Sequence, residues 1–374
     1  MDIITFAIHV TFWLLGFVFL FHIPLCRAAR KDDFPYHPPT SVIIPARNEE
    51  TALPNLLASL REQIYITDEI IVVDDHSEDR TKVIAKREGA KVVESQPLPE
   101  GWTGKTWTCH QGAQAAVGDI FIFLDADTSL EIDGLCSIVE TYMEKEGVLS
   151  IQPYHRTGRL YEELSSFFNL IMMGAIDAFT VLGSRLKPTA LFGAALVLSR
   201  QHYVESGGHE RVKGKVVEDV ALAKELRKQG IPIRCCGGKG TVSFRMYPHG
   251  LRQMVDGWSK GFALGAAQIA IPSLFVTVAW IVGSIGTVRY TGQALFATNN
   301  IPIVMWGSLY LCYAAQIYWM LFRIGSFRLY TALLYPIPML FFVIVFARSF
   351  VIVFLKRSVW WKDRMINLRG EASQ

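Results

Sequence analysis

Cysteine is scarce in this chain and follows no pattern that would cross-link a fold. The six cysteines form no Cys-x-x-Cys pair and no Cys/His cluster at zinc spacing; they lie at positions 26, 109, 136, 235, 236 and 312. This argues against a structural zinc site and a disulfide framework, and it fits a reducing cytosol. Excess charge is also lacking, because 37 basic and 34 acidic residues leave a net charge of only +3. So small and dispersed a charge does not indicate nucleic acid as a partner.

Charged residues are absent from a long stretch near the N-terminus. Residues 4–25 contain no Asp, Glu, Lys or Arg, and about 20 apolar residues suffice to cross a bilayer core of about 30 Å. A signal peptide is the alternative, but the run is too long, lacks a basic start and ends in a poor cleavage site. We therefore predict a transmembrane anchor over residues 1–26. The basic residues Arg27, Arg30 and Lys31 place its C-terminal end in the cytoplasm.

Three more apolar segments near the C-terminus are long enough to span a bilayer, namely residues 262–288, 301–322 and 329–355. Three simple crossings from a cytoplasmic domain would leave the basic tail, residues 356–374, on the outer side. That outcome conflicts with the positive-inside rule, so we predict a cytoplasmic tail and one segment that is not a simple crossing. The first or the last segment, both interrupted by proline, is then interfacial or re-entrant.

Between the apolar ends, short apolar runs alternate with helical patterns after a polar linker at residues 27–39. Predicted strands are Ser41–Pro45, Glu69–Asp74, Lys91–Glu94, Ile120–Leu124 and Ser150–Tyr154, and predicted helices are Glu49–Gln63, Asp79–Glu88, Thr108–Val117 and Gly134–Glu146. Alternation of this kind predicts an α/β domain with a mostly parallel sheet over residues 40–260. We predict that residues 161–182 form one long helix, buried or at the membrane surface.

Acidic residues follow three of the predicted strands and recur once further along. The pairs are Glu49/Glu50, Asp74/Asp75, Asp125/Asp127 and Glu218/Asp219. Open parallel sheets bind ligands at the carboxyl ends of their strands. The order and placement of these pairs therefore predict a site for a metal and a nucleotide sugar.

Asp125 and Asp127 flank Ala126 directly after a strand, so both carboxylates can reach one cation bound to a pyrophosphate. Mg²⁺ and Mn²⁺ prefer such oxygen ligands. The alternative is an Asx-turn that only ends the strand. Lys105, in what we predict to be a flexible glycine-rich loop, could reach the diphosphate, although its surroundings do not complete a P-loop motif.

The remaining acidic positions have structural alternatives too. Asp74 and Asp75 could bind a base or ribose, while Ser77 or Asp79 caps the next helix. Arg47 and Asn48 either contact the nucleotide or shape their turn. Glu218 and Asp219 begin a predicted helix over residues 218–230, where complementing its dipole would be sufficient reason for them. An acid downstream of a metal site is, however, what an inverting transfer needs as the base toward its acceptor.

Four motifs in this order and spacing, PARNEE, VVDDHSED, LDADT and VVEDVAL, resemble the inverting glycosyltransferase family 2 on the GT-A (Rossmann-like) fold. The resemblance covers about residues 40–260. Further blocks, GWTGKTWTCHQGA, SIQPYH, YEELSSFFNLIM, FRMYPHG and DGWSKG, together with the flanking membrane segments, resemble the diaponeurosporenoate glycosyltransferases of carotenoid biosynthesis.

The resemblance implies a membrane enzyme that transfers a sugar, expected to be glucose, from a UDP-sugar to a lipid-like acceptor such as a carotenoid carboxylate. It implies that Asp127 binds Mg²⁺ or Mn²⁺, that Asp125 lies near the metal or ribose, and that Asp219, with Glu218 beside it, is the base. The residues that it implies for the uridine are Pro45, Ala46, Arg47, Asn48, Glu49 and Asp74 or Asp75.

One departure from the family concerns the acceptor region. Membrane members often carry a [Q/R]xxRW motif, whereas residues 254–258 read MVDGW and keep only Trp258 of it. Arg245, His249 or Lys260 are candidates for the missing polar contact. The departure argues against a processive polysaccharide synthase, which remains an alternative beside a non-catalytic nucleotide-sugar-binding membrane protein.

Overall fold

A computed structural model describes residues 3–27, 38–63, 65, 67–215, 217–259, 262–297, 301–356, 358–361 and 364–367. The chain divides into two compact units. The helical unit comprises Met1–Ile23, Arg156–Lys187 and Tyr247–Val359, and the sheet unit comprises Pro24–His155, Pro188–Met246 and Trp360–Gln374. Residues 156–187, which the sequence analysis placed in the catalytic domain, thus group with the helical unit. The predicted domain boundaries stay predictions.

The strands are mostly short. They are β1 (Thr40–Ala46), β2 (Glu69–Asp74), β3 (Lys91–Glu94), β4 (Ile120–Leu124), β5 (Thr128–Leu130), β6 (Val148–Gln152), β7 (Tyr154–His155), β8 (Ala195–Ser199), β9 (Ile233–Gly237), β10 (Val242–Phe244), β11 (Ser358–Trp361) and β12 (Arg364–Asn367).

The helices differ widely in length between the two units. They are α1 (Ile3–Phe19), α2 (Leu53–Arg61), α3 (Thr81–Arg87), α4 (Gly104–Ala115), α5 (Gly134–Met143), α6 (Ser166–Ala175), α7 (Arg200–Glu205), α8 (Gly208–Arg211), α9 (Glu218–Lys228), α10 (Leu251–Ser259), α11 (Phe262–Ala266), α12 (Ile271–Ala294), α13 (Ile301–Ile324), α14 (Leu329–Leu333) and α15 (Pro336–Phe350). Two 3₁₀ helices, Leu160–Ser165 and Gly183–Arg185, and a π-helix, Val351–Lys356, complete the set.

The sheet unit is built on a seven-stranded sheet with the order β3-β2-β1-β4-β8-β6-β9. Strand β8 runs antiparallel to its neighbours β4 and β6, and the other pairings are parallel. The prediction of a mostly parallel α/β sheet is therefore confirmed. Because β1, β2 and β4 are parallel, their carboxyl ends lie at one edge of the sheet, which Ala46 and Asp74 mark as register partners.

Helices cover both faces of this sheet, as its strands require. Alternate residues of β1 point to opposite faces, so Val42 and Ile44 pack with α2 and α5 residues while Ile43 packs with α4 and α9 residues. Strand β4, IFIFL, is buried at every position. Continuous apolar strands of this kind are typical of parallel sheets buried on both faces. A second sheet has the strand order β5-β10-β7, and its strand β5 is the next strand after β4 in the chain.

Among the residues that the structure describes, the helical unit has three helices long and apolar enough to cross a membrane, Ile271–Ala294, Ile301–Ile324 and Pro336–Val353, whereas α1 is shorter. Two of the predicted apolar segments each contain two α-helices: α11 and α12 in the first, and α14 and α15 in the last. The second helix of each has a proline in its first turn, because proline lacks an amide hydrogen and fits the first helical turn. Pro272 therefore lies in the first turn of α12, and Pro336 begins α15.

The predicted helix over residues 161–182 is wrong in its length. A 3₁₀ helix and the ten-residue α6 take its place. Asp177 has a left-handed backbone (φ 65°), which an α-helix does not accommodate. Most of α6 is buried, which agrees with the first of the two predicted settings, a buried helix or one at the membrane surface. Gly174 on this helix lies against the ring of Phe19, where a larger residue would collide.

Candidate active site

Four charged side chains of the sheet unit meet at the carboxyl edge of the sheet. Asp125 follows β4 directly, Lys105 lies in the first turn of α4, and Glu218 and Asp219 form the first turn of α9. We call these four residues the reaction cluster. Lys105 was expected in a flexible loop, but Gly104 begins a helix instead, which anchors the lysine to a rigid element.

Lys105 holds the reaction cluster together. Its Nζ lies 2.8 Å from Oδ1 of Asp125, 3.1 Å from Oδ2 of the same carboxylate and 3.9 Å from Oε1 of Glu218. Burial alone would lower the pKa of Lys105, but the carboxylates of Asp125, Glu218 and Asp219 outweigh burial and raise this pKa well above its usual range. The ammonium is therefore charged at physiological pH.

Burial and mutual repulsion act on the two acids of α9. Burial, followed by the neighbouring carboxylate of Glu218, raises the pKa of Asp219 to about 7, although Lys105 opposes that rise. Burial likewise raises the pKa of Glu218. Three carboxylates surround one ammonium, so the reaction cluster carries excess negative charge that disfavours full ionisation. A carboxyl group with a pKa near 7 can accept a proton from an acceptor at neutral pH.

The turn after β4 presents the DxD residues. Asp125 donates its backbone amide to the carbonyl of Ala194 (3.0 Å), and the amide and hydroxyl of Thr128 both donate to the carbonyl of Asp125 (3.0 and 2.7 Å). The main chain thus closes this turn, and the carboxylate of Asp125 pairs with Lys105. Ala126 is buried, while the side chain of Asp127 is partly exposed.

The residue types after β4 fit a divalent cation. No group of three or more His, Cys, Asp or Glu side chains in the described parts of the chain could hold a metal by itself. Mg²⁺ and Mn²⁺ do not require such a group, because substrate phosphates and water commonly complete the shell around one or two carboxylates. Asp125 and Asp127 are the residues that could supply these carboxylates.

A second cluster joins the turns after β1 and β2. Arg47 donates from Nη1 to the carbonyl of Asp75 (2.8 Å), and its guanidinium lies 3.9 Å from the carboxylate of the same residue. The amide of Asn48 donates to the hydroxyl of Ser77 (3.0 Å), and Asn48 Oδ1 accepts the amide of Glu78 (2.9 Å). We call Arg47, Asn48, Asp74, Asp75 and Ser77 the turn cluster.

The carboxylate of Asp74 is buried, with 5% of the residue exposed. Its Oδ2 accepts the amide of Ser77 (3.3 Å), whereas its Oδ1 has no hydrogen-bond partner within the described part of the chain. A buried acceptor of this kind is costly unless a ligand satisfies it. Asp79 accepts the amide of Thr81, the first residue of α3 (2.9 Å), so it stabilises the start of that helix as the capping alternative predicted, whereas the hydroxyl of Ser77 accepts the amide of Asn48 instead.

The other nucleotide-site candidates lie beside the turn cluster. Pro45 and Ala46 end β1, Glu49 donates its backbone amide to the hydroxyl of Thr81 (2.7 Å), and Glu50 donates its own to Asp79 (3.0 Å). These bonds tie the loop after β1 to the loop after β2. The geometry thus brings residues 45–50 together with Asp74 and Asp75, as the strand-end pattern predicts.

The acceptor candidates are distributed over both units. Arg245 follows β10 in the sheet unit. His249 and Trp258 belong to the helical unit, where His249 donates its amide to Gln253. Trp258 is buried, stacks on Phe168 (4.7 Å between ring centroids) and donates from Nε1 to Ser165 (3.1 Å). This tryptophan packs the core of its unit. Lys260 lies outside the described residues.

One contact of the reaction cluster, at Gly193, is not indicated by the sequence. An added Cβ on Gly193 would collide with the carboxylate of Asp219, and the segment around this glycine also bonds to Asp125. Glycine has no side chain to mark a site. Its position just before a buried strand was the only available signal.

Comparisons with known proteins agree with this arrangement. The family model described as Glycosyl transferase family 2 matches residues 41–189. A 4,4'-diaponeurosporenoate glycosyltransferase from Staphylococcus haemolyticus is 34% identical over 334 residues, which cover 88% of this chain and 88% of that protein. The enzyme of the same name from Staphylococcus aureus is 31% identical over 339 residues and 90% of each chain.

Among solved structures, a mannosyltransferase from Pyrobaculum calidifontis in complex with GDP-Man and Mn²⁺ is similar, with a TM-score of 0.51. It is 16% identical, and the match covers 84% of this chain and 96% of that one, so the likeness concerns the fold. The chain therefore belongs to glycosyltransferase family 2 and is a glycosyltransferase with the GT-A fold.

Proposed function

We propose that this enzyme transfers glucose from UDP-glucose to a carotenoid carboxylate at the cytoplasmic face of the membrane, with inversion at the anomeric carbon and with Mg²⁺ or Mn²⁺. The observation that carries the proposal is the reaction cluster, in which Asp125, Glu218 and Asp219 surround Lys105. A site with one fixed cation and a carboxyl group of raised pKa suits the departure of a diphosphate and the attack of an acceptor.

The turn cluster supports a uridine donor. The unpartnered, buried Oδ1 of Asp74 is an acceptor that the imide N–H of uracil would satisfy. Asp75 is held by Arg47, so these side chains are ordered before a ligand arrives. The carboxyl edge of a parallel sheet is also where a nucleotide is expected in open α/β folds.

Charge balance supports a metal-dependent reaction. Asp125 and Asp127 would hold the cation, which would offset the negative charge on the diphosphate leaving group. Lys105 adds a second positive charge that is fixed before the reaction begins. Preorganised charges of this kind act where charge develops in the transition state and need no rearrangement during it.

Asp219 would receive the acceptor's proton when the acceptor is a hydroxyl. A carboxylate acceptor is already ionised at neutral pH, since the usual pKa of a carboxyl group is near 4. For such an acceptor, Asp219 would orient the nucleophile more than deprotonate it. The acceptor would then attack the anomeric carbon on the side opposite to the departing UDP.

Two further facts support a lipid-like acceptor. The relatives from both Staphylococcus species are named for a carotenoid acid, diaponeurosporenoate. In the described part of the helical unit, three helices have the length and composition to cross a membrane. Keeping a long apolar acceptor in the bilayer avoids exposing its chain to water, which costs about 0.8 kcal/mol per CH₂.

The test is a transfer assay on membranes that contain the full chain, with UDP-glucose, a carotenoid carboxylic acid and Mg²⁺ or Mn²⁺. Mass spectrometry of the extracted lipids should find one added hexose, and a chelator or Asp127→Ala should abolish the product. Asp119→Ala is the matched control, because Asp119 is exposed at the opposite end of β4.

Three results would contradict the proposal. Equal product from Asp127→Ala and wild type would remove the metal role. A ladder of hexoses would favour a processive synthase, and binding of UDP-glucose without release of UDP would favour a non-catalytic binding protein.

A further inference from the structure

The segment Leu191–Ala194 contacts both acidic motifs of the reaction cluster through its main chain. The carbonyl of Ala194 accepts the backbone amide of Asp125 (3.0 Å). Three residues earlier, the amide of Leu191 donates to the carbonyl of Asp219 (3.4 Å). The segment continues directly into β8, which pairs with β4 from Ala195 onward. A short stretch of backbone thus fixes the spacing between Asp125 and Asp219.

A buried serine holds the middle of this segment in place. The amide of Phe192 donates to the hydroxyl of Ser150 (2.6 Å), and that serine is fully buried on β6. The segment is therefore attached to the central sheet through β6 and β4. Its position next to the acids is set by rigid elements.

Gly193 lies at the centre of the segment, against the carboxylate of Asp219. A Cβ on this glycine would overlap Oδ1, and both Oδ2 and Cγ of Asp219 would be within 3.0 Å of it (2.7 and 2.8 Å). The backbone of Gly193 is not among those with positive φ. Glycine is thus required here for space and not for a left-handed conformation.

The backbone amide of Gly193 also acts on the carboxyl group of Asp219, whose pKa it lowers against the larger effect of burial. This proximity, together with the absence of a side chain, lets the carboxylate lie directly against the main chain. We propose that Gly193 is the positioning residue of Asp219, holding its carboxylate at the place from which it acts on the acceptor. The inference rests on the role proposed above for Asp219.

The collision predicts an effect on turnover rather than on folding. The atoms that an added methyl would meet belong to the end of a flexible side chain, so Asp219 can rotate away at little cost to the fold. The rotation would move the carboxylate away from the amide of Gly193 and away from the acceptor. A displacement of about 1 Å in a reacting group can lower a rate about 100-fold.

The experiment compares Gly193→Ala with wild type on two acceptors, a lipid alcohol and a carotenoid carboxylic acid. With the alcohol, we expect kcat to fall about 100-fold while the KM for UDP-glucose and the melting temperature stay unchanged. With the carboxylic acid, the loss should be smaller, because that acceptor needs no base. Gly307→Ala is the matched control, since an added Cβ there meets nothing within 4 Å.

A double variant decides whether Gly193 acts through Asp219. Asp219→Ala removes the atoms with which the new methyl collides, so adding Gly193→Ala to it should leave the residual kcat unchanged. If Gly193→Ala alone lowers the melting temperature, the double variant should restore it. A double variant slower or less stable than Asp219→Ala would overturn the proposal.

The outcomes also separate this inference from the proposed function. Wild-type kcat in Gly193→Ala, with Asp219→Ala inactive on the alcohol, would overturn the positioning role alone. Wild-type kcat in Asp219→Ala would overturn the role of the base and the inference with it.

Discussion

The reaction cluster and the turn cluster lie in the same sheet unit, and both contain a pair of adjacent acids. They differ in how far neighbouring groups balance the charge of those acids. The reaction cluster has three carboxylates, two of them with raised pKa values, around the single ammonium of Lys105. In the turn cluster, Asp75 faces a guanidinium, and Asp74 accepts a backbone amide.

In the proposed function, this difference assigns donor recognition to the turn cluster and the chemical step to the reaction cluster. Hydrogen bonds between the loops after β1 and β2 order the turn cluster before any ligand arrives, and such order favours selective binding. The excess negative charge of the reaction cluster is what a bound cation would offset in the proposed function. We therefore expect substitutions in the reaction cluster to lower kcat and substitutions in the turn cluster to raise the KM for the donor.

Within the two clusters, the largest effect is expected at Asp219 with a hydroxyl acceptor. Asp219→Asn keeps the size of the side chain but removes the base, so kcat with a lipid alcohol should fall about 1,000-fold. With a carotenoid carboxylate the loss should be far smaller, because no proton has to be removed. The comparison requires initial rates of UDP release for both acceptors. Equal losses on both would refute the role as base.

Lys105→Met should lower kcat about 100-fold for both acceptors, because one preorganised charge near the diphosphate is lost. Lys105→Arg keeps the charge and should recover part of the rate. Measured by UDP release under saturating UDP-glucose, a Lys105→Met enzyme with wild-type kcat would show that this ammonium has no part in the reaction.

The pH dependence tests the electrostatics of the same cluster. Asp219 has a pKa of about 7 and accepts a proton only when ionised. The rate with a lipid alcohol should therefore rise about tenfold per pH unit below pH 7 and level off above it. Since Lys105 lowers this pKa, Lys105→Met should move the midpoint to higher pH. A flat profile between pH 5 and 8 would contradict the assignment.

The smallest effect is expected in the turn cluster. Asp74→Asn replaces the carboxylate by a neutral amide that accepts more weakly, so the KM for UDP-glucose should rise about tenfold, the size of one hydrogen bond to a charged group, and kcat should change little. The rates are compared over a range of donor concentrations, with Asp119→Ala as control. A fall in kcat at unchanged KM would show that Asp74 acts in the chemical step, and it would contradict the proposed difference between the two clusters.

Part of this arrangement was predictable from the sequence, because short apolar runs bounded by acids define strand ends well. Strands β2 and β4 begin and end at the predicted residues, which brings Asp74 and Asp125 to one edge. The helical setting of Lys105 was not predictable, since Gly101 and Gly104 on its N-terminal side suggest a turn. In the folded chain Gly104 is the first residue of α4, so Lys105 belongs to a helix.

Other features depend on contacts between segments far apart in the sequence. Continuous apolar composition suggested one helix over residues 161–182, but the left-handed residue Asp177 follows soon after α6 ends. The proximity of Gly193 to Asp219 arises only when β8 pairs with β4. Neither the backbone conformation of Asp177 nor the proximity of Gly193 to Asp219 leaves a periodic signal in the sequence.

In the proposed function, the paired aspartates after β4, Asp125 and Asp127, hold a divalent cation together with the donor's diphosphate. Binding of Mn²⁺ to the detergent-purified full chain, followed by electron paramagnetic resonance with and without UDP, tests this role most directly. We expect wild type and Asp119→Ala to bind Mn²⁺ when UDP is present and Asp127→Ala not to bind it. Binding of Mn²⁺ and UDP by Asp127→Ala with wild-type affinity would contradict this role.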